Sequence, residues 1–261
     1  MAYLPLPVPP GAFRRGTEYQ SKGRAYDMNL TRWYGLAPGP IGGWRTRGAS
    51  TLTGKARAII NWKENNGVRW SGVGTHSKLY AISSSFANFD ITPTDFVAGR
   101  ADSAAKTGYG YGPYGDSTYG TPRPDTGSRF PATVWDLDTW GEYLVGCADS
   151  DGRCLQWELD TGTKAAAVTN APTSCNGVFV TAQRTMVALG ASGNPRYIKW
   201  SDVENNTVWS ASSTNKAGDF EIQTVGTILA GRRVSDLTSF ILTDVDAHSM
   251  TYIGGTLVYS F

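Results

Sequence analysis

Gly177 to Trp209, GVFVTAQRTMVALGASGNPRYIKWSDVENNTVW, is the stretch on which the fold turns. It holds three short strand signals, Gly177 to Thr181, Thr185 to Leu189 and Tyr197 to Trp200, set apart by Gly, Asn and Pro and followed by a polar run that closes on Trp209. Each run is too short for a helix and rich in Val, Ile, Phe, Tyr and Trp, whose branched or flat side chains suit a pleated, half-buried surface. Such a β-meander cannot hide its apolar faces alone, so it requires neighbours of its own kind.

The neighbours are present. Trp140 to Gly146, a turn at Cys147 to Gly152, and Arg153 to Trp157 repeat the order of apolar strand, Asp/Gly turn and second strand closing on Trp. Leu237 to Asp244, Val245 to His248 and Ser249 to Gly254 repeat it with Tyr252 near the Trp position, and Gly67 to Gly74 followed by Lys78 to Ile82 is a weaker copy upstream. The anchors Trp157, Trp200 and Tyr252 recur at a spacing of about 45 residues, the range of propeller blades. The expected fold is all-β: a β-propeller-like array of antiparallel four-stranded blades, complete or incomplete, preceded by an extended N-terminal arm. A β-sandwich is the competing architecture, but it shows turn signals every 8–12 residues without the longer repeat.

The chain of 261 residues is 40% hydrophobic and 12% aromatic, enough to bury a core, and its 31 Gly and 13 Pro suit many short strands joined by turns. The net charge of +2 is uninformative, but its distribution is not: nearly all charges before residue 61 are cationic and the remainder is net acidic. A basic leading segment either meets something negative or keeps an extended segment soluble. Three cysteines, an odd number, argue against a secreted disulfide framework; Cys147 and Cys154 flank the Asp149 to Gly152 turn and are expected to be two small buried thiols rather than a cross-strand disulfide. His76 and His248 lie far apart and each is expected in a turn, so no metal pattern arises. The N-terminus has no cationic start and its apolar run is broken by proline, and no run approaches membrane-spanning length; synthesis in a cytoplasm without a membrane anchor is expected.

Residues 1 to 47 form the expected arm. Prolines 5, 7, 9 and 10 favour an extended conformation, and the segment to Gly48 shows no apolar periodicity. Its aromatics Phe13, Tyr19, Tyr26, Trp33, Tyr34 and Trp44 are too many for a disordered spacer. Together with Arg14, Arg15, Arg24 and Arg32 they are candidate contacts to a partner or a second copy. The body spans 48–261. Within it, residues 99–127 read as a Tyr/Gly-rich loop or extension, long for a connection inside a compact domain, and Tyr109, Tyr111, Tyr114 and Tyr119 are its candidate contacts. After Thr256 a further strand runs to Phe261 with no polar tail, which suggests a longer chain or a strand that closes a ring with an N-terminal segment.

The combination Asn194-Pro-Arg-Tyr-Ile-Lys-Trp-Ser-Asp202, Trp209, Ala217-Gly218-Asp219, Thr243-Asp244, Met250-Thr-Tyr-Ile-Gly254 and Val258-Tyr-Ser-Phe261 resembles the tail nozzle or tail tubular proteins of short-tailed bacteriophages and their relatives. The Tyr/Gly stretch followed by Trp135 to Val145, and Lys78-Leu-Tyr80 with Asp90-Ile-Thr-Pro93, fit the same likeness, which covers residues 50 to 261. Family members are usually longer, with more blades. The resemblance implies a virion structural subunit: a homo-oligomeric ring below the portal, in contact with adjacent tail and adaptor proteins, past which DNA moves without sequence-specific binding. A net acidic body suits that role, since it repels a phosphate backbone rather than gripping it.

The alternative is a carbohydrate-binding or glycan-cleaving propeller. Nine Trp and thirteen Tyr could stack on sugars, and a hydrolase needs two opposed carboxylates, for which Asp136, Asp138, Glu142, Asp149, Asp151 and Asp202 are available. Those carboxylates sit at turns and strand ends, where Asp usually serves the backbone. Ser150-Asp-Gly152 resembles the Asp-box turn of sialidases, with its spacing broken by Gly directly after Asp. No nucleophile elbow, phosphate loop or Cys/His pairing occurs, so no catalytic, cofactor-binding or metal residue is assigned. Trp140, Trp157, Trp200 and Trp209 are expected in the core.

Overall fold

The structure is a computed structural model that describes residues 9–17, 19–35, 37–43, 45–48, 50–105, 129–255 and 257–261. Two compact units divide the chain, Met1–Arg47 and Gly48–Phe261. In the first, β1 (Thr31–Tyr34) and β2 (Ala37–Pro40) pair antiparallel, with Trp33 opposite Pro38 and Tyr34 opposite Ala37. The expectation of an extended segment therefore misses a hairpin. Its two strands are both edges, where proline is tolerated because no second neighbour requires its missing N–H.

The second unit contains four sheets of four strands. Blade 1 is β3 (Ala56–Lys63), β4 (Arg69–Thr75), β5 (Leu79–Ser83) and β6 (Asn88–Asp90). A separate short pairing joins β7 (Ala104–Ala105) to β8 (Arg129–Phe130). Blade 2 follows as β9 (Trp135–Trp140), β10 (Tyr143–Ala148), β11 (Leu155–Trp157) and β12 (Ala166–Ala167). Blade 3 comprises β13 (Gly177–Val180), β14 (Met186–Leu189), β15 (Tyr197–Trp200) and β16 (Gly218–Glu221). Blade 4 comprises β17 (Ile228–Arg233), β18 (Thr238–Thr243), β19 (Ala247–Gly254) and β20 (Val258–Ser260). Every blade is a meander whose consecutive strands pair antiparallel. The final strand thus completes blade 4 by pairing with β19 instead of reaching an N-terminal segment. No α-helix forms among the described residues.

First strands pack side by side in chain order, β3 on β9, β9 on β13 and β13 on β17. That is a propeller-like array, with the faces of successive blades meeting and the cores lying between them. We call the face turned to the next blade in the chain forward and the opposite face backward. Ala58, Ile60, Trp70 and Leu79 of blade 1 meet Trp135, Leu137, Leu144 and Trp157 of blade 2. Trp140, Val145, Cys147 and Cys154 of blade 2 meet Val178, Val180, Met186 and Ala188 of blade 3. Phe179, Val187, Leu189, Ile198 and Trp200 then meet Ile228, Ile241 and Met250 of blade 4. The two-residue alternation of a strand explains this directly: Val178 and Val180 point backward while Phe179 points forward, and all of β13 is buried because both faces are covered.

Trp157 and Trp200 share a register position, opposite Leu144 and Val187 on the second strand, but Trp157 faces backward into the blade 1–blade 2 core and Trp200 forward into the blade 3–blade 4 core. In blade 4 the corresponding position is Met250, opposite Ser239, so Tyr252 lies two residues beyond it. Trp209 lies in the β15–β16 connection and plugs the core between blades 2 and 3. Trp140, Trp157, Trp200 and Trp209 are all buried, as their repeat positions predict.

Each joint also requires a missing side chain. A Cβ on Gly74 would lie 2.5 Å from the Trp135 ring, one on Gly177 would lie 2.0 Å from the Asp136 carboxylate, and one on Gly231 would lie 2.7 Å from the Phe179 ring. Gly74→Ala is expected to lower stability by about 2 kcal/mol, through overpacking against a ring that cannot retreat. Urea midpoints check this against Gly42→Ala, where a Cβ meets nothing within 4 Å and the midpoint should not move.

Candidate functional site

The carboxylates that sequence offered to hydrolysis are engaged by backbone N–H groups and arginine, and Asp136, Asp138 and Glu142 among them join one blade to another. β13 presents an edge to blade 2, and Asp138 Oδ2 accepts the Val180 N–H at 2.8 Å. Asp136 accepts the Val178 N–H and also meets Arg232 Nη2 at 2.6 Å, a contact from blade 2 to the first strand of blade 4. Burial pushes the Asp136 carboxyl above its ordinary value, and the guanidinium opposes that shift without cancelling it. Asp149 accepts the Val134 N–H, Asp151 accepts the Val97 N–H and the Arg153 guanidinium, and Asp202 accepts the Lys216 N–H. Asp138 and Asp136 stand two residues apart on one face of β9, which is why they reach alternate N–H groups of β13. The sequence shows that spacing but gives no sign of Arg232 as the partner.

Turns between first and second strands touch across every joint, at the same end of the array. Trp62 Nε1 donates to the Glu142 carbonyl at 2.9 Å and the Asn65 N–H donates to the Glu142 carboxylate at 3.0 Å. The Arg184 guanidinium lies over the Trp140 ring at 5.4 Å, and Gln183 Nε2 donates to the Asp236 carbonyl at 2.6 Å. Glu142 is therefore a strut between blades 1 and 2.

Three thiols gather in the blade 2–blade 3 core. Cys147, Cys154 and Cys175 are free and buried, with Cys147 Sγ directed at the Cys175 carbonyl at 3.6 Å. The Cys175 thiol donates to the Pro172 carbonyl at 3.4 Å, and burial pushes the Cys147 thiol well above its ordinary value. Sequence reasoning paired Cys147 with Cys154 across their turn and left out Cys175, which only blade stacking brings close.

His76 lies just beyond β4, where its Nδ1 accepts the Lys55 N–H at 3.0 Å. The expectation for His248 needs correction: it lies in β19, not in a turn, and its Nε2 meets Asp246 Oδ1 at 2.9 Å and Thr224 Oγ1 at 3.2 Å. The strand begins two residues earlier than its apolar signal because Ala247 pairs with Leu242 and extends the ladder.

Within the first unit the contact candidates partly serve one another. Arg14 bonds Asp27, Arg24 lies over the Phe13 ring at 5.7 Å, and Arg32 lies over the Tyr34 ring at 5.2 Å. Tyr19, Tyr26 and Tyr34 are exposed, as is Arg15, while Trp33 is half-buried with an unbonded Nε1. Trp44, Tyr109, Tyr111, Tyr114 and Tyr119 lie outside the described residues.

Blade 4 leaves apolar side chains uncovered on one face. β18 alternates buried and exposed residues: Ser239, Ile241 and Thr243 face blade 3, whereas Phe240 and Leu242 remain 46% and 48% exposed on the forward face. Leu229 and Ile253 are exposed on the strands beside it. A separate cavity of about 360 Å³ at the outer rim of blade 2 is lined by Gln156, Glu158, Thr163, Lys164 and Asn206, with the Trp157 ring buried beneath them.

No family model matches the chain, and no curated protein sequence does. Among solved structures, selenomethionine-substituted virginiamycin B lyase from Staphylococcus aureus is similar over 75% of this chain and 70% of its own, with 11% identity and a TM-score of 0.32. A likeness that distant assigns no activity to this chain.

Proposed function

We propose that this chain is a structural subunit of a bacteriophage tail, one copy in a ring of the nozzle or tube type that sits below an adaptor and forms part of the DNA ejection channel. The phage assignment draws its support from the sequence resemblance over residues 50 to 261. The observation that carries a structural rather than a catalytic role is the engagement of Asp136, Asp138, Asp149, Asp151 and Asp202 by backbone N–H groups and arginine, since a carboxylate that holds a blade in place is not free to work on a glycosidic bond. The sugar-binding alternative draws less support, because Trp140, Trp157, Trp200 and Trp209 offer no exposed ring face on which a sugar could stack. The Asp136–Arg232 pair ties two blades together within one copy, so in this reading DNA passes through the centre of the ring of subunits and not between the blades of one.

Removal of residues 1 to 47 tests the division of labour. The expected outcome is a soluble, β-rich protein with a normal unfolding transition that no longer joins tail-deficient particles. A truncated chain that fails to fold would place the first unit in the core, and one that joins particles normally would strip it of its assembly role.

A further inference from the structure

Blade 1 turns its forward face to blade 2, and residues 50–54 cover part of its backward face: the Thr53 N–H donates to Tyr80 Oη at 3.1 Å, Asn88 Nδ2 donates to the Ser50 carbonyl at 3.0 Å, and Val73 and Tyr80 are buried. The part beside the β3–β4 turn is left open. Asn61 pairs with Ser71 and Lys63 with Arg69, so these four side chains project from the backward side of the sheet while Trp62 and Trp70 face blade 2. Asn61, Lys63 and Arg69 are exposed, and the four residues, with Trp62 and Trp70, line an open cavity of about 500 Å³.

The chemistry of this cavity is one-sided. Lys63 and Arg69 are like charges set directly opposite each other, an arrangement that is unfavourable unless an anion stands by them. Neither forms a salt bridge among the described residues. The carboxylates around the turn are engaged elsewhere: Glu64 Oε2 accepts Trp70 Nε1 at 3.1 Å, and Glu142 Oε2 accepts the Asn65 N–H at 3.0 Å. Ser71 Oγ donates to Asn61 Oδ1 at 2.6 Å, which occupies the acceptor of that amide and leaves the two N–H groups of Nδ2 unbonded among the described residues. An ammonium, a guanidinium and an amide NH2 therefore stand together with no carboxylate among them. A carboxylate ligand offers two oxygens in one plane, which the Arg69 fork alone can take; donors spread over two strands suit a tetrahedral group with more oxygens.

We propose that Lys63, Arg69 and Asn61 form a binding site for a phosphate group, borne on a DNA backbone or free in solution. The proposal deepens the tail reading and rests on it only for the source of the phosphate. A subunit past which DNA moves would meet backbone phosphates here, through charge contacts that carry no sequence preference.

Binding of a short labelled DNA duplex and of inorganic phosphate to the full chain, measured across a salt series, decides it. Lys63→Gln/Arg69→Gln should bind the duplex about tenfold more weakly than wild type, with the slope of log K against log salt reduced by about 2, because each cation that meets a phosphate contributes about 0.9. Asn61→Ala changes no charge and should weaken binding about threefold with the slope unchanged. All three positions are exposed and the double change relieves a repulsion, so urea midpoints should not fall and weaker binding is not a loss of fold. Arg15→Gln/Lys22→Gln removes the same charge from exposed positions of the first unit and is the control. Inorganic phosphate that binds wild type but not Lys63→Gln/Arg69→Gln, with duplex binding equal in both, would assign a free phosphate; duplex binding that follows these residues assigns the backbone. Wild type that binds neither probe would overturn the proposal. So would a control as weak as Lys63→Gln/Arg69→Gln, or an Asn61→Ala chain that binds as wild type does, since either reduces the effect to net charge. A chain that joins tail-deficient particles but binds neither probe removes this site and leaves the tail reading standing, whereas one that binds phosphate and ignores the particles keeps the site and removes that reading.

Discussion

Trp157→Ala is expected to cost about 3–5 kcal/mol. Trp157 is 1% exposed and meets the Trp70 ring edge-on at 5.3 Å, so it joins blade 2 to blade 1 as well as filling its own sheet. Its Nε1 donates to the Asp160 carbonyl at 2.9 Å and thereby holds the turn that leads to β12. Alanine leaves a ring-sized void, opens the Trp70 contact and frees that carbonyl together. A domain of ordinary stability has about 5–15 kcal/mol in total, so the variant should lose roughly a fifth or more of it. Urea unfolding measures this: the midpoint should fall with the slope unchanged, and Trp157→Phe, which keeps the ring contact and loses the N–H, should lie between the variant and wild type.

The second large effect is expected at Asp136. Asp136→Ala removes the acceptor for the Val178 N–H and the partner of Arg232 in one step. A buried donor without a partner costs about 1–3 kcal/mol, and breaking a buried pair costs more. The Arg232 side chain is half-exposed and can turn to water when its partner is gone, which limits the electrostatic share. A total of about 2–3 kcal/mol follows. Asp136→Asn keeps an acceptor for Val178 and should cost about 1 kcal/mol or less, because burial already works against the charged carboxylate. A double-mutant cycle with Arg232→Ala isolates the pair; coupling near zero would show that the backbone N–H carries the effect.

Much of the fold was legible in the chain because blade stacking imposes a simple pattern. Gly177 to Thr181, Thr185 to Leu189 and Tyr197 to Trp200 were readable as strands, and β13, β14 and β15 lie within a residue of those limits. The turn at Asn65-Asn-Gly67 joins β3 to β4, where Gly67 takes φ +88, a value that glycine adopts without strain. The burial of the tryptophans followed from their place in the repeat.

What the chain hid was contact between distant segments. Arg232 and Asp136 are 96 residues apart and share no motif, so only blade order brings them together. Cys175 reaches the other two thiols for the same reason. The hairpin of the first unit escaped because its second strand, Ala37 to Pro40, contains two prolines that argue against a strand in the middle of a sheet but not on an edge. The exposed face of blade 4 was invisible as well: nothing in Leu237 to Asp244 sets Phe240 and Leu242 apart from strand residues of the repeat that are covered.

The central claim is that this chain joins a virion as a structural ring subunit, and the native mass of the full chain, alone and after mixing with tail-deficient particles, addresses it most directly. The account predicts that the chain leaves the free pool and appears on particles in a fixed multiple. A chain that ignores the particles and is instead retained by immobilised glycans would contradict it and favour the sugar-binding reading.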